Sequence, residues 1–318
     1  MSWLSPKISW MTTTPGHGSL ARGCGEMGGG FAHGPRTVRG GSPGVLRECD
    51  SMSVASERPH ALLRPDAAQG RLESSWYMAA DDLADVVERH WAVRWDMSDR
   101  EPFVQDVPHP GANLCFEPWA ASVHGIVTHR TSHRLEGSGE TVGTVFRPAV
   151  FAGFTAVAMV DLVDRAASLA EVFGSDGTAL ERDVSELVGD TARIAAIEGF
   201  LRARRPPPNP VAQQVGRMIA WMLAAPAGAR VTDVAREHGL SPRALQRLFR
   251  RYVGVGPKWV LQRYRLHEAA ERIATGRCAH WSDLVAELGY ADQAHFIRDF
   301  RAAVGQSPGI YAAACAGA

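Results

Sequence analysis

Leu240-Ser-Pro-Arg-Ala-Leu-Gln-Arg-Leu-Phe249 closes a segment that occurs twice in the last third of this 318-residue chain. It follows Val231-Thr-Asp-Val-Ala-Arg-Glu-His-Gly239 directly. The second copy consists of Trp281-Ser-Asp-Leu-Val-Ala-Glu-Leu-Gly289 and then Tyr290-Ala-Asp-Gln-Ala-His-Phe-Ile-Arg-Asp-Phe300. The two glycines that end the first stretches are 50 residues apart, and the final phenylalanines are 51 apart. A repeat at a nearly fixed spacing indicates that one compact unit has been duplicated.

Each copy carries the start and stop signals of two short helices. Thr232 and Ser282 are predicted to start the first helices, because their hydroxyls can accept the free amides of a first turn. Gly239 and Gly289 follow these helices, where the chain must turn left-handed to stop. Ser241-Pro242 then predicts an N-cap followed by proline at the first position of the next helix.

The second helix of each copy has one apolar face and one polar face. Spacings of three and four residues place apolar side chains on the inward face, namely Leu245, Leu248, Phe249 and Tyr252, and Phe296, Phe300 and Val304. The outward face carries Arg243, Gln246, Arg247 and Arg250 in the first copy, and Gln293, His295, Arg298 and Arg301 in the second. Two helices around a glycine turn, the second with a basic outer face, describe a helix-turn-helix.

These outward residue types are the ones that contact duplex DNA. Arginine can bridge O6 and N7 of guanine, glutamine can bridge N6 and N7 of adenine, and other cations neutralise phosphates. The alternative for a single copy is an ordinary solvated helix face. The matched positions of Arg247 and Arg298 in two copies favour the interpretation as a DNA-binding surface.

The segment between the copies predicts a stiff spacer. Pro257 to Ala274 has no internal proline or glycine, and Gly276 ends it. A helix of this length is about 27 Å long, whereas successive major grooves lie about 34 Å apart on one side of B-DNA. With the width of the flanking units added, this spacer is predicted to place the two recognition helices in adjacent major grooves.

On these motifs, residues 211–316 resemble the DNA-binding domain of the AraC family of transcription regulators. The resemblance implies base contacts from Arg243, Gln246 and Arg247 in the first unit, and from Gln293, Ala294, His295 and Arg298 in the second. Ala294 departs from the small polar residue usual at its position, which implies weaker direct base contact there. Arg250, Arg301 and Lys258 are predicted to contact phosphate.

Charge and cysteine usage fit a DNA-binding module joined to a separate domain. The chain has 34 basic and 34 acidic residues, yet residues 209–318 hold fourteen basic and eight acidic ones, a net charge of +6. The front of the chain therefore carries −6. Five scattered cysteines without a C-x-x-C pair predict neither a disulfide framework nor a zinc site. We expect no cofactor, no membrane span and a cytoplasmic protein.

The rest of the chain divides by composition. Residues 1–51 are predicted to be a disordered or over-extended start, residues 52–205 a regulatory or dimerisation domain, residues 206–210 a proline-rich linker, and residues 211–318 the DNA-binding domain. Short β-like runs predict a small antiparallel half-barrel, with strands at 92–96, 103–107, 113–116, 122–128 and 141–146. Helices are predicted at 161–173 and, in one or two pieces, at 178–202. The predicted class is α+β.

The front domain offers two further hypotheses for a site. Four histidines, His109, His124, His129 and His133, lie near Glu117 and Glu136, yet their spacing matches no ligand motif. Four tryptophans, Trp76, Trp91, Trp95 and Trp119, line an apolar effector pocket or belong to the core. Arg147 either pairs within the fold or meets an acidic effector.

The sequence thus predicts a transcription regulator that is not an enzyme. Its expected partners are double-stranded DNA, a small-molecule effector sensed by the front domain, a second copy in a homodimer, and RNA polymerase. The alternative is a front domain that binds metal or catalyses a reaction, with the C-terminal domain only targeting it to DNA.

Overall fold

An antiparallel sheet begins the described part of the chain. The computed structural model describes residues 72–97, 103–106, 109–129, 131–134, 137–226, 228–277 and 280–316. The start predicted for residues 1–51 lies outside these ranges. All of the described residues belong to one compact unit.

Eight strands are described. They are β1 (Leu72–Tyr77), β2 (Val87–Met97), β3 (Phe103–Asp106), β4 (Asn113–Glu117), β5 (Ala120–His124), β6 (Thr131–Arg134), β7 (Gly137–Phe146) and β8 (Ala166–Ser168). Six of them form one sheet in the order β1-β2-β7-β4-β5-β8, while β3 and β6 pair separately. The strand pairings among the described residues are all antiparallel, as predicted for a half-barrel. The strand predicted at 92–96 is longer than expected, and the strand predicted at 122–128 ends at His124.

Glycines in β7 let two tryptophans of β2 lie flat against the sheet. Trp91 pairs with Gly143 and Trp95 with Gly139. A Cβ at either glycine would overlap the facing indole ring. Trp91 is 0% exposed and Trp95 is 5% exposed, and both belong to one apolar cluster with Cys115. Of the two alternatives given for the tryptophans, an effector pocket or the core, these two residues belong to the core.

Three helices follow the sheet in the chain. They are α1 (Leu169–Phe173), α2 (Ser175–Glu186) and α3 (Asp190–Ala203). The helix predicted over 161–173 is wrong, because β8 occupies its middle and pairs with β5. A 3-10 turn at Met159–Leu162 precedes β8, and Asp164 has a φ of 56° that no helix permits. The helical segment predicted over 178–202 forms two helices, α2 and α3, because Gly189 between them has a φ of 86°.

Buried polar groups fix α3 to the sheet. His90 Nδ1 lies 2.8 Å from Thr144 Oγ1, and His90 Nε2 lies 3.3 Å from a carboxylate oxygen of Glu198 on α3. The Tyr77 hydroxyl and the Arg94 guanidinium both donate to Asp190 at the start of α3. Because His90, Tyr77 and Arg94 each have a partner on α3, the helix is held in one position over the sheet.

The C-terminal part contains seven helices among its described residues. They are α4 (Pro210–Ala224), α5 (Val231–Glu237), α6 (Pro242–Tyr252), α7 (Pro257–Ala274), α8 (Trp281–Glu287), α9 (Gln293–Val304) and α10 (Pro308–Ala316). The two helix-turn-helix pairs are α5–α6 and α8–α9, and α7 joins them with the bounds expected from the sequence. None of the helices in the described ranges is long and apolar enough to cross a bilayer.

Thr232 and Ser282 do not cap the first helices, so that prediction is wrong. The helices begin one residue earlier, at Val231 and Trp281. In α5 the carboxylate of Asp233 accepts the Arg230 backbone N–H at 2.8 Å, so an acidic side chain in the first turn replaces the expected hydroxyl. The glycine stops behave as predicted, because Gly239 and Gly289 have φ values of 63° and 69°.

Candidate nucleic-acid interface

The outer face of α6 is fixed by a cap and by its buried side. Ser241 Oγ accepts the Ala244 N–H at 3.2 Å, as the sequence predicts. Leu245 and Phe249 are 0% exposed. Because this side is buried, the opposite side faces solvent, and Arg243, Gln246, Arg247 and Arg250 are all exposed.

Helix α9 repeats this arrangement with a different cap. The carboxylate of Asp292 accepts the His295 N–H at 2.7 Å, an N-cap that the sequence reasoning missed although aspartate is a common N-cap residue. Phe296 and Phe300 are 0% exposed, and Gly305 ends the helix with a φ of 87°. The outward side chains are Gln293, Ala294, Arg298 and Arg301, which are exposed, and His295, which is half-buried.

The arginines of the two outer faces differ from those of the front domain. Every front-domain arginine whose side chain the structure describes has an intramolecular partner: Arg89, Arg94, Arg147, Arg165, Arg182, Arg193, Arg202, Arg204 and Arg205. No hydrogen bond or ion pair to a described residue is found for the predicted DNA contacts Arg243, Arg247, Arg250, Arg298 and Arg301. These five guanidiniums are therefore free to bind an external anion.

His295 and Lys258 are the remaining predicted cationic contacts. His295 Nε2 lies 3.4 Å from Asp299 on the same helix, and this pair orients the imidazole. Asp299 in turn accepts a hydrogen bond from Gln262 of α7. Lys258 lies in the first turn of α7 and is exposed. Lys258 thus reaches solvent, whereas His295 does so only in part.

Helix α7 belongs to the cores of both units. Val260 and Leu261 pack with α4, α5 and α6 in the core of the first unit. Ala270 and Ile273 pack with α8, α9 and α10 in the core of the second. Because one continuous helix anchors both cores, it holds the two recognition helices at a set spacing.

The first unit also shares its core with the front domain, which the sequence did not predict. Ile126 and Ala149 belong to the same buried cluster as Leu245 and Phe249. The second-unit core contains no described residue of the front domain. The two units therefore differ in their packing. The core of the first unit includes residues of the front domain, whereas the core of the second unit is formed by its own helices and α7 among the described residues.

The histidines considered as metal ligands lie apart in separate settings. His124 Nε2 is 2.8 Å from Ser122 Oγ, His109 faces Glu88 at 3.7 Å, and His129 pairs with Asp164 at 3.0 Å. The side chains of His133 and Glu136 lie outside the described part of the chain. Among described residues, no group of three histidine, cysteine or acidic side chains could hold a metal ion.

The structure also places the other three front-domain candidates, Trp76, Trp119 and Arg147. Trp76 is half-buried beside the sheet core, whereas Trp119 is 51% exposed at the β4–β5 turn. Arg147 donates from Nε to the backbone oxygen of Ala84, so it is paired within the fold.

Comparison with known families decides what the C-terminal part is. A helix-turn-helix domain family matches residues 234–314, which run from within α5 through α9 into α10. Residues 234–314 are an AraC-type helix-turn-helix domain. A second family, described as a domain of unknown function (DUF6597), matches residues 75–168. Those residues run from β1 to β8, so the match coincides with the sheet.

Several solved structures are similar to parts of the chain. The C-terminal domain of AraT, a response regulator from Geobacillus stearothermophilus, is 22% identical over 33% of this chain and 88% of its own, with a TM-score of 0.31. ToxT from Vibrio cholerae is 10% identical over 77% of this chain and 98% of its own, with a TM-score of 0.36. The AraC-like transcriptional activator CuxR is 14% identical over 64% and 89%, with a TM-score of 0.21. A comparison with curated proteins found no match.

Proposed function

We propose that this chain is a sequence-specific transcription regulator that binds two adjacent major grooves through α6 and α9. The observation that carries the proposal is the contrast between the paired arginines of the front domain and the five free arginines on the recognition helices. A free guanidinium keeps its full capacity to bridge a guanine edge or to neutralise a phosphate. The AraC-type domain supports the same assignment.

Within this proposal, the position of each of the ten outward side chains decides whether it contacts a base edge or a phosphate. Arg243, Gln246 and Arg247 lie near the start of α6, where a recognition helix contacts base edges. Gln293, His295 and Arg298 take the equivalent role on α9, with Ala294 offering only an apolar contact. Arg250, Arg301 and Lys258 contact the phosphate backbone.

The front domain is proposed to sense a small molecule. A cavity of about 410 Å³ lies where the β4–β5 turn meets α2 and α3, with Trp119, Glu140, Ser185 and Arg193 among its walls. Its size suits a small molecule, and its walls mix apolar and charged groups as ligand sites do. If an effector binds there, filling the cavity with Ser185→Trp should abolish the effector's stabilisation of the full chain.

Packing provides a route from such a site to DNA. The front domain and α6 share one core through Ile126 and Ala149, so a shift of the sheet is transmitted to the first recognition helix by direct contact. We further propose that two copies pair through the α2–α3 surface. At the bend between these helices, Val188 is 90% exposed. Sedimentation of the wild type and of Val188→Lys would test that pairing.

The function is tested by selecting genomic fragments with the full-length protein. The selected fragments should share one sequence, and the protein should bind it more tightly than random duplex of equal length. Enrichment of no common sequence would overturn the assignment. We also propose that the chain has no catalytic role.

A further inference from the structure

Arg263 of α7 is a buried cation at the junction of the front domain and the DNA-binding domain. It is 6% exposed, and its Nη2 donates to the backbone oxygen of Thr128 at 3.2 Å. The guanidinium carbon lies 4.8 Å from the centre of the Trp259 ring. One hydrogen bond and one aromatic face thus hold the side chain in place.

The remaining donors of Arg263 have no acceptor. Within the described residues, Nε and Nη1 are buried without a hydrogen-bond partner, and the side chain forms no ion pair. Burial lowers the pKa of Arg263 to about 10, because the cation is desolvated without a carboxylate to compensate it. An uncompensated buried charge is costly, so this position calls for a negative counterpart.

A cavity opens beside the guanidinium. It has a volume of about 190 Å³, and its walls come from three elements: Thr128 of the front domain, Trp259, Gln262, Arg263 and Leu266 of α7, and Asp299, Ala302 and Ala303 of α9. Since a water molecule takes up about 30 Å³ of liquid, the space holds a few waters or a small organic ion.

We propose that this cavity binds a small oxyanion, either a carboxylate or a phosphate group, on the free N–H groups of Arg263. Charge-assisted hydrogen bonds from a guanidinium to such a group are short and strong, and Nε and Nη1 lack an acceptor among the described residues. Asp299 is the acidic side chain among the lining residues, and its Oδ2 contacts both Gln262 and His295. The bound group would meet the Arg263 cation together with Thr128, the polar side chains of Gln262 and Asp299, and the apolar side chains of the remaining wall residues.

Occupancy would bridge the elements that control DNA contact. Thr128 belongs to the front domain, Arg263 to the spacer helix and Asp299 to the second recognition helix, one turn from His295. A bound anion would thus tie α9 to the front domain and change the affinity for DNA. This last step rests on the proposed function, whereas anion binding itself does not.

The test uses the full-length protein and three variants, namely Arg263→Met, Arg263→Lys and Arg217→Met. Arg263→Met removes the donors while keeping an apolar side chain of similar length. Arg263→Lys keeps the charge without the fork of donors, and Arg217→Met changes an exposed arginine of α4 as a matched control. Thermal unfolding is measured at constant ionic strength against sodium acetate and, separately, inorganic phosphate, with circular dichroism as the check of folding.

At least one probe should raise the Tm of the wild type and of Arg217→Met saturably, by several degrees at a hundred times its Kd. Arg263→Met should fold, should lose this response, and should match or exceed the wild type in its ligand-free Tm, because it lacks the buried charge. Arg263→Lys should respond more weakly. Acetate acting alone identifies a carboxylate site, and phosphate acting alone identifies a phosphate site.

Two results would overturn the proposal. One is an absence of any saturable response to either probe in the wild type, which would mean that water alone fills the cavity. The other is an equal response in Arg263→Met, which would place the anion elsewhere. Neither result depends on DNA binding, so failure here and failure of the proposed regulator function are distinguishable.

Discussion

A Cβ added to Gly254 would lie 2.6 Å from the backbone oxygen of Met159. The backbone just after the first recognition helix is therefore in close contact with the backbone of the front domain. Gly254 also has a φ of 95°, which side chains rarely adopt. The contact joins the 3-10 turn at Met159–Leu162 to the segment that connects α6 and α7. The front domain and the helix-turn-helix domain therefore meet closely at this glycine.

Gly254→Ala should destabilise the full chain by about 1–3 kcal/mol, because strain at a positive φ adds to the clash with Met159. Gly256→Ala is the control two residues away, since that position has a φ of −80° and no atom within 4 Å of an added Cβ. Chemical denaturation of both variants measures the difference. Equal stability of the two would show that the backbone contact does not exist in solution.

Arg247→Ala should weaken binding to the selected DNA site by about 1–3 kcal/mol and relax the base preference at one position. The physical reason is the loss of a bidentate contact to a base edge. Arg217→Ala, an exposed arginine of α4 outside the recognition helices, should leave affinity nearly unchanged. Equal losses of Arg247→Ala on the site and on random duplex would assign this arginine to phosphate instead.

Gly289→Val should unfold the second unit. Gly289 has a φ of 69°, and a β-branched side chain resists this conformation. Gly309→Ala provides the control, because Gly309 lies in α10 with open space around it and alanine favours a helix. A circular dichroism melt of Gly289→Val that matches the wild type would contradict the assigned turn.

Acidification should loosen the contact between the front domain and α7 at His109. Its ring is stacked on His267 at 6.5 Å, and its charged neighbours on β2 are Glu88, 3.7 Å away, and Arg89. Burial lowers the pKa of His109, with Glu88 opposing and Arg89 assisting. The folded state therefore binds this proton more weakly than the unfolded state, and its stabilisation is lost as the pH falls below about 6.5.

His109→Gln should accordingly show a smaller drop in Tm between pH 7 and pH 5.5 than the wild type. His129→Gln is the matched control, because its imidazole is 62% exposed and an exposed pair contributes little to stability. Parallel Tm curves for the wild type and His109→Gln across this range would rule out His109 as the responsible group.

The sequence was sufficient where local signals define the structure. Helices α6 and α7 start at prolines and stop near glycines, so their bounds and buried faces followed from Pro242, Pro257 and Gly276 alone. The exposed faces of α6 and α9 followed from the same periodicity. Those features depend on residues three or four positions apart, which a sequence displays directly.

Non-local pairing explains what the sequence missed. Ala166–Ser168 forms a strand because it lies beside Ser122 and His124, forty residues earlier, and nothing in its own residues distinguishes it from a helix. Arg263 looks like any exposed helical arginine until the front domain supplies Thr128 to cover it. The packing of Ile126 in the core of the first helix-turn-helix unit also depends on residues far apart in the chain, so the sequence did not predict it.

The central claim is that free arginines on two linked recognition helices bind duplex DNA, and salt titration of the full-length protein on its selected site tests it most directly. Three assigned phosphate contacts, Arg250, Arg301 and Lys258, predict a slope of log affinity against log salt of about −3 or steeper. Arg250→Ala should reduce the magnitude of that slope by about 1. An affinity that is independent of salt, with no preference for any duplex, would contradict the account.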